Sequence, residues 1–566
     1  MKTKAKITFG LVDVTAKRDS TLKVNDKQDF VNINEIKEND IKEIKYGTLE
    51  RNQFALDGTF ESMPEEKDEM CWWSNVMSND KGVFSTPLVL EIDFTDIHSS
   101  VGLTFIFSET GDYCNKLNLK YYDKSGNLIS NEDFTPDNYK YVCNNIVENY
   151  NKIIVTFYST NNPYRYLKLY KILYGAEKIF EGDNLMSANI LEEIDLLSSE
   201  ISINTLDFTA YSSDDEFNII NPKGSYKLLQ ERQPLIVTET MVKENREKDM
   251  GTFYLDTWIN EKDKTMKITA IDLIGVIDKT DFYGGIYVEI AFKDLIKEIM
   301  DSANVLEENY EIEEDLQNIK LTGYIPICSH RKALQQAIFA VGAVADCSRS
   351  DKIKIYKVNN SNISNTLDKS NIFQSSRKIE QNELVTGVAV VAHTYIKNQE
   401  QEKLFDGIVD AEETEVIFSE PSYNITCEGG TIKESNCNHA IIECVQGSNV
   451  IVYGYKYKDN LQTFTIEVEN LSRSQKRNTL KVESAYLVNK DNAMEVAKRI
   501  LDYYQKTYKT SFDFILNDET LTENVALESA FDQQLVGNII KEDINLTGGF
   551  IANMELNAKV KEGTDG

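Results

Sequence analysis

Cys427, Cys437, His439 and Cys444 lie close together in the chain, and thiolate sulfur with imidazole nitrogen is a donor set suited to zinc. Their spacing argues against a site. Zinc knuckles pair ligands about two to four residues apart, whereas these four sit on segments that alternate like strands, where successive side chains face opposite ways. Small thiols scattered in the core are the expectation, with no metal and no cofactor. The runs GIVDAEETE (407–415) and EENYEIEED (307–315) hold the paired acids a glycosidase needs. Carboxylates this dense are the habit of the whole chain, so a solvated acidic face is expected instead. The histidines, His98, His330, His393 and His439, come without a nucleophile elbow, and HExxH, GxSxG and a glycine-rich phosphate cradle are absent. The chain is therefore read as not an enzyme, with no catalytic residue.

Aromatic residues offer a binding chemistry rather than a reaction. In an extended segment Trp72 and Trp73 point to opposite sides, so one fills a core and the other can present a flat ring to the apolar face of a sugar. Tyr164 and Tyr166 can widen that platform, and Arg165 between them suits a glycan or an intersubunit salt bridge. Core packing or a subunit contact is the competing reading of all five.

The elements that must position these residues are mainly strands. From about 45 to 176, Leu88, Leu90, Ile92 and Phe94 alternate with polar residues, as do Leu103, Phe105 and Phe107, then Leu117, Leu119 and Tyr121, then Ile153, Val155 and Phe157. DKSGN (123–127) and STNNP (159–163) supply turns between such runs. An antiparallel, jelly-roll-like β-sandwich follows. ISINTLDF (201–208), GTFYLDTWI (251–259) and KITAIDLIGVID (267–278) read as a second, barrel-like β unit. Phe292, Leu295, Ile296, Ile299 and Met300 share a helical face, as do Leu334, Ala337, Ile338 and Val341. Beyond 380 the chain returns to strands around one long helix at about 490–508, which Asn492 or Asp491 can cap. The segments 251–272 and 532–560 each close a β unit with alternating apolar residues, which suggests a distant duplication. The fold class is thus mainly β, multidomain α+β.

With 566 residues, 41% of them apolar, the chain should hold three to five domains. A net charge of −31 disfavours nucleic-acid binding. It suits either a conduit that DNA passes without sticking or an acidic surface that keeps the protein soluble. MKTKAKITFG has no apolar stretch behind its basic residues, so neither Sec export nor membrane insertion is expected. The cysteines are scattered through a large chain, which fits reduced thiols in a cytosolic assembly compartment.

RNQFALDGTF (51–60), WWS (72–74), HSSVGLTFIF (98–107) and NNPYRYLKLYKILYG (161–175) resemble a carbohydrate-binding-like N-terminal sandwich of tail proteins from phages of Gram-positive bacteria. ILEEIDLLSSEISINTLDF (190–208), RQPLIV (232–237), GTFYLDTW, GGIY (284–287) and LTGYIPICSHRKALQQ (321–336) resemble the baseplate hub or tail-tip family. Together these blocks cover roughly 45–355. The resemblance implies a strand or linker region at 1–44, the sandwich at 45–178, a first hub β-barrel at 179–285, an α+β hub domain at 286–380 and a β-rich hub region at 381–566. It also implies a homotrimer in the tail tip of a virion or phage-like particle such as a tailocin. The partners expected are the distal tail protein ring, the tape-measure protein and a spike or fibre protein. A carbohydrate-binding adhesin that recognises host cell-wall glycan is the alternative.

Overall fold

The computed structural model describes residues 3–13, 15–25, 42–43, 50, 69–70, 72–107, 111–211, 229–241, 246–262, 264–359, 362–368, 370, 372–469, 476–516, 520–528, 533–549 and 551–561. The RNQFALDGTF block lies outside them. Strands dominate, and thirteen of them form one sheet.

That sheet contains the same antiparallel unit twice. In the first, the strands Leu185–Glu193, Thr205–Tyr211, Pro234–Met241, Arg246–Lys262 and Thr265–Ile271 lie side by side in the order third, fourth, fifth, second, first. In the second, Lys378–Gln381, Tyr508–Ile515, Asn524–Glu528, Gln534–Asn545 and Ile551–Val560 lie in the same order. The correspondence extends to irregularities: the fourth strand carries a register shift at Leu255/Thr257 in one unit and at Ile539/Lys541 in the other. A seam joins the units where Leu185–Glu193 pairs with the later half of Gln534–Asn545. Alternation explains the burial. Leu206, Phe208 and Ala210 face inward in the first unit, Phe512, Phe514, Met554 and Leu556 in the second, and all belong to one continuous core.

The sheet therefore runs across the divisions expected at 285 and 381. Of the strand or linker expected at 1–44, Thr3–Val12 is a strand inside the sheet, between Gly175–Glu181 and Pro234–Met241. Ile7, Phe9 and Leu11 are its buried face, so apolar area holds it there.

The sandwich is inserted between two neighbouring strands of that sheet. It leaves after Val12 and returns at Gly175, and these residues are register partners. A Cβ at Gly175 would lie 2.1 Å from the Leu11 carbonyl oxygen, so only glycine permits this close return. Inside the sandwich, Val83–Phe107 and Lys140–Thr160 pair along most of their length, with register shifts between Asp93 and Gly102. Each half of the pair serves a different layer. Thr21–Val24, Cys114–Tyr122 and Leu128–Phe134 flank one half, while Tyr166–Leu173 and Trp72–Met77 flank the other. Phe157 packs across the interior against Trp72 at 6.0 Å and Phe105 at 6.0 Å between ring centroids.

Three further modules complete the chain, the smallest of them two three-stranded sheets within residues 395–459 around Val416, Ile442 and Val452. Helices Phe292–Ser302 and His330–Val341 pack with short sheets around Ile296, Leu334 and Ile353. Ser329 starts the second helix by accepting the Lys332 N–H, and Gly342 ends it at φ 75°. In the last module, helix Ala493–Tyr504 covers the strands Gly387–Ala392, Gln462–Glu467 and Thr479–Val482. This helix is shorter than 490–508 because Tyr508 already pairs with Ala558 in the shared sheet. Asn492 is its N-cap residue, but its side chain turns back to accept the Asn489 N–H at 2.9 Å. No helix among the described residues is long and apolar enough to cross a membrane.

Candidate functional site

The five aromatic and arginine candidates converge in one layer of the sandwich, and its own residues occupy them. Trp72 is fully buried. Trp73 stacks on Tyr166 at 6.3 Å, and the Lys168 ammonium lies 4.7 Å from its ring centroid. Lys168 in turn pairs with buried Glu50 at 2.8 Å, and Glu50 also accepts the Tyr166 N–H at 2.7 Å. Arg165 is buried against Asp112 at 3.1 Å, an ion pair within the chain. Tyr164 holds φ 57° at the turn, with its N–H donated to the Asn79 carbonyl.

The sulfur-rich set is divided. Cys427 and Cys444 pack against the small core around Val416, Ile442 and Val452. Cys437 lies in the connection before strand His439–Cys444, where burial pushes its thiol up to about 11. His439 stacks on Tyr283 at 4.3 Å, with its Nδ1 2.9 Å from Glu415.

Two charged clusters that the sequence reading passed over occupy decisive places. The first is at the seam. Glu192 and Glu542 are directly opposed in register, both fully buried. Arg349, from the α+β module, reaches in to lie 3.4 Å from Glu192 and to bond Glu542. Burial pushes the Glu192 carboxyl up, against the pull of Arg349. Nearby Asp346 is also raised by burial. Asp272, which caps the helix Leu273–Ile277, is pushed up to about 7 by burial despite accepting the N–H of Gly275. Glu192, Glu542 and Arg349 come from three distant segments, so their pairing forms an ionic clasp that holds those parts of the chain together. The available sequence signal was a charge at an inward position of an alternating strand, as in Ile190, Glu192, Ile194.

The second cluster is the hinge of the sandwich. His98, in the shifted part of Val83–Phe107, places Nδ1 2.8 Å from Asp13 and Nε2 2.8 Å from Asp19. Asp13 follows the strand Thr3–Val12 of the shared sheet and also accepts the Thr15 N–H, while Asp19 ends the short helix Ala16–Asp19 and accepts the Asp96 N–H. Burial pulls the His98 imidazole down, but the bonds to Asp19 and Asp13 outweigh it and raise its pKa. Burial likewise opposes ionisation of Asp19, yet the Asp96 N–H and His98 hold that carboxyl at about 2.

No model of a protein family matches the chain, and no curated protein matches it. Solved structures do. One is the tail protein from Neisseria meningitidis MC58, with 10% identity, a TM-score of 0.42, and 68% of this chain and 94% of that one covered. A second is the 43 kDa tail protein of prophage MuSo2 from Shewanella oneidensis, with 9% identity, a TM-score of 0.37 and coverage of 67% and 94%. A third is prophage tail protein gp18 from Listeria monocytogenes EGD-e, with 10% identity, a TM-score of 0.39 and coverage of 69% and 92%.

Proposed function

We propose that this chain is a non-enzymatic structural subunit of a phage-type tail tip, a baseplate hub that acts as a homotrimer. The observation that carries the reading is the duplicated five-strand unit. Three copies of a chain with two equivalent units present six similar units to a six-fold tube. The sequence blocks at 190–208, 232–237 and 321–336 support the same assignment. In the particle, the hub closes the tube and connects the distal tail ring and the tape-measure protein to a spike or fibre, with the inserted sandwich at the periphery.

The seam within the chain is the template for the seam between chains. Inside the chain, the first strand of unit one adds to the fourth strand of unit two beyond its register shift. In the trimer, the first strand of unit two, Lys378–Gln381, adds to the fourth strand of unit one in the next copy. Both surfaces are open to it: Lys378–Gln381 is an exposed edge, and Ile259, beyond the shift at Leu255/Thr257, is 56% exposed. Matching the two seams residue by residue sets Glu380, the counterpart of Leu191, opposite Ile259 of the neighbouring copy, the counterpart of Asp543.

The test combines light scattering with cysteine cross-linking of the Glu380→Cys, Ile259→Cys double variant. A mass about three times 64.6 kDa and an oxidised ladder ending at the trimer are expected. A stable monomer at every concentration, with no cross-link, would rule out the homotrimeric hub.

A further inference from the structure

A cleft lined by Leu196 and Leu197, just past the seam strand, carries four cations in a chain whose formal charge is −31. It lies where the end of helix His330–Val341 meets helix Ala493–Tyr504, with a volume of about 370 Å³. That is within the usual range for small-ligand sites, about 300–1,000 Å³. Lys357, Lys498, Arg499 and Lys506 line it, against only Glu495 and Asp502. Among the described residues, Lys357, Lys498 and Arg499 have no carboxylate within ion-pair distance, although acids outnumber bases by 92 to 61.

Arg499 is fixed in place. Its Nη2 donates to the Phe339 carbonyl at 2.6 Å, and its guanidinium carbon lies 5.4 Å from the Phe339 ring centroid. At Gly342 a Cβ would stand 2.3 Å from Nη1, so the guanidinium occupies space that a side chain would fill. Capping the helix accounts for Nη2 but leaves the buried Nε without an acceptor. Lys506 bonds Asn538 of the shared sheet. Both cations are strained electrostatically. Burial draws Arg499 down to about 10, with Glu495 opposing, and burial together with Lys559 draws Lys506 down to about 8.

We propose that this cleft is a binding site for an oxyanion, a phosphate or a carboxylate group, held by Arg499 and Lys506 with Lys357 and Lys498 at its mouth. An anion there restores charge balance, gives Nε an acceptor and stabilises the protonated amine of Lys506. The cleft joins the α+β module, the last helix and the shared sheet, so the bound group would tie the three together.

The probes are inorganic phosphate and glutarate, titrated calorimetrically into the full chain at constant ionic strength set with chloride. Saturable binding is expected, at least tenfold weaker in the double variant Lys357→Met, Lys498→Met. Both of those side chains are exposed, so the variant keeps its fold. Tighter phosphate binding would identify a phosphorylated ligand, and tighter glutarate binding the carboxylate of an acidic partner segment. An independent readout is acylation of individual lysines at pH 8, mapped by mass spectrometry. Saturating probe should slow modification of Lys506 at least fivefold and leave exposed Lys124 unchanged. Non-saturable heats with both probes, or equal binding by the double variant, would overturn the proposal.

Discussion

Glu239 provides the most direct quantitative test of the core assignment. It lies on the inward face of Pro234–Met241 between Val237 and Met241, with no exposed surface. Burial pushes its carboxyl from 4.5 up to about 7, against a weaker opposing pull from Thr3. A carboxyl raised in the folded state adds nothing below its unfolded pKa. As pH rises between the two values the unfolded chain ionises while the folded one keeps its proton, so stability is lost until the folded pKa is passed. For pKa values of 4.5 and 7, that penalty is about 0.8 kcal/mol at pH 5 and about 3.3 kcal/mol at pH 8. Glu239→Gln removes it. Whatever the buried amide costs by itself is the same at both pH values and cancels in the comparison. Urea unfolding at pH 5 and pH 8, followed by circular dichroism, should therefore show the variant gaining about 2.5 kcal/mol on the parent between the two conditions. Identical pH dependence of the two proteins would show that Glu239 is not buried as described.

Arg349→Met leaves Glu192 and Glu542 facing each other without a cation, and the expected loss at pH 8 is about 3–5 kcal/mol. The loss should shrink toward pH 5 as the carboxyls take up protons, and a loss independent of pH would refute the clasp. For His98, the raised folded pKa means that its contribution is fully present below about 6.5 and lost as pH rises through the folded value. Limited proteolysis should accordingly cut the hinge around residues 13–20 faster in His98→Gln at pH 6, with parent and variant converging above the His98 pKa. Equal cleavage of both at pH 6 would count against the hinge. Trp72→Ala removes the side chain that meets Phe157 across the layers, with an expected cost of about 3–5 kcal/mol to the sandwich. Trp73→Ala, at the sandwich's partly exposed face, should cost less than half as much, and urea midpoints would show the reverse if the inward assignment were wrong.

What was legible in the sequence follows from the range of each signal. Alternation is local, so the strands carrying Leu88, Leu90 and Ile92, or Leu117, Leu119 and Tyr121, could be read directly, as could the helical face of Phe292, Leu295 and Ile299. The same alternation was present in Ile7, Phe9 and Leu11, but their partners at 175–181 and 234–241 come much later in the chain. Periodicity marks a strand without saying which sheet receives it. Arg165 shows the limit for charges: between two tyrosines it looked like a surface contact, and only the fold brings Asp112 beneath it. The clasp was hidden for the same reason, since Glu192, Arg349 and Glu542 come from three distant segments. The helix at 493–504 was overextended because its apolar pattern runs through Tyr503 and Tyr504 into the alternating strand that follows. Helical and strand periods cannot be separated at that junction until the pairing with Ile551–Val560 is known.

The placement of the extra modules has a mechanical consequence for the duplicated sheet. The sandwich leaves and returns between Val12 and Gly175, neighbours on adjacent strands, so it displaces no hydrogen bond of the sheet. The α+β module occupies the passage between the two units, and the last module lies between the first and second strands of unit two. None of them interrupts the path from Pro234–Met241 across the seam to Tyr508–Ile515. Load applied along that path is therefore carried by strand pairing within the units and by one shorter ladder at the seam, Asn189–Glu193 on Lys541–Asn545. The seam is also where Arg349 brings the α+β module into contact with both glutamates. Breaking the clasp should thus loosen the join between units before it loosens either unit. Hydrogen exchange on Arg349→Met would show this as faster exchange at Asn189–Glu193 while Thr205–Tyr211 and Ile551–Val560 stay protected. Uniform loss of protection across all three would mean that the two units unfold as one body and that the seam is not a separate element of stability.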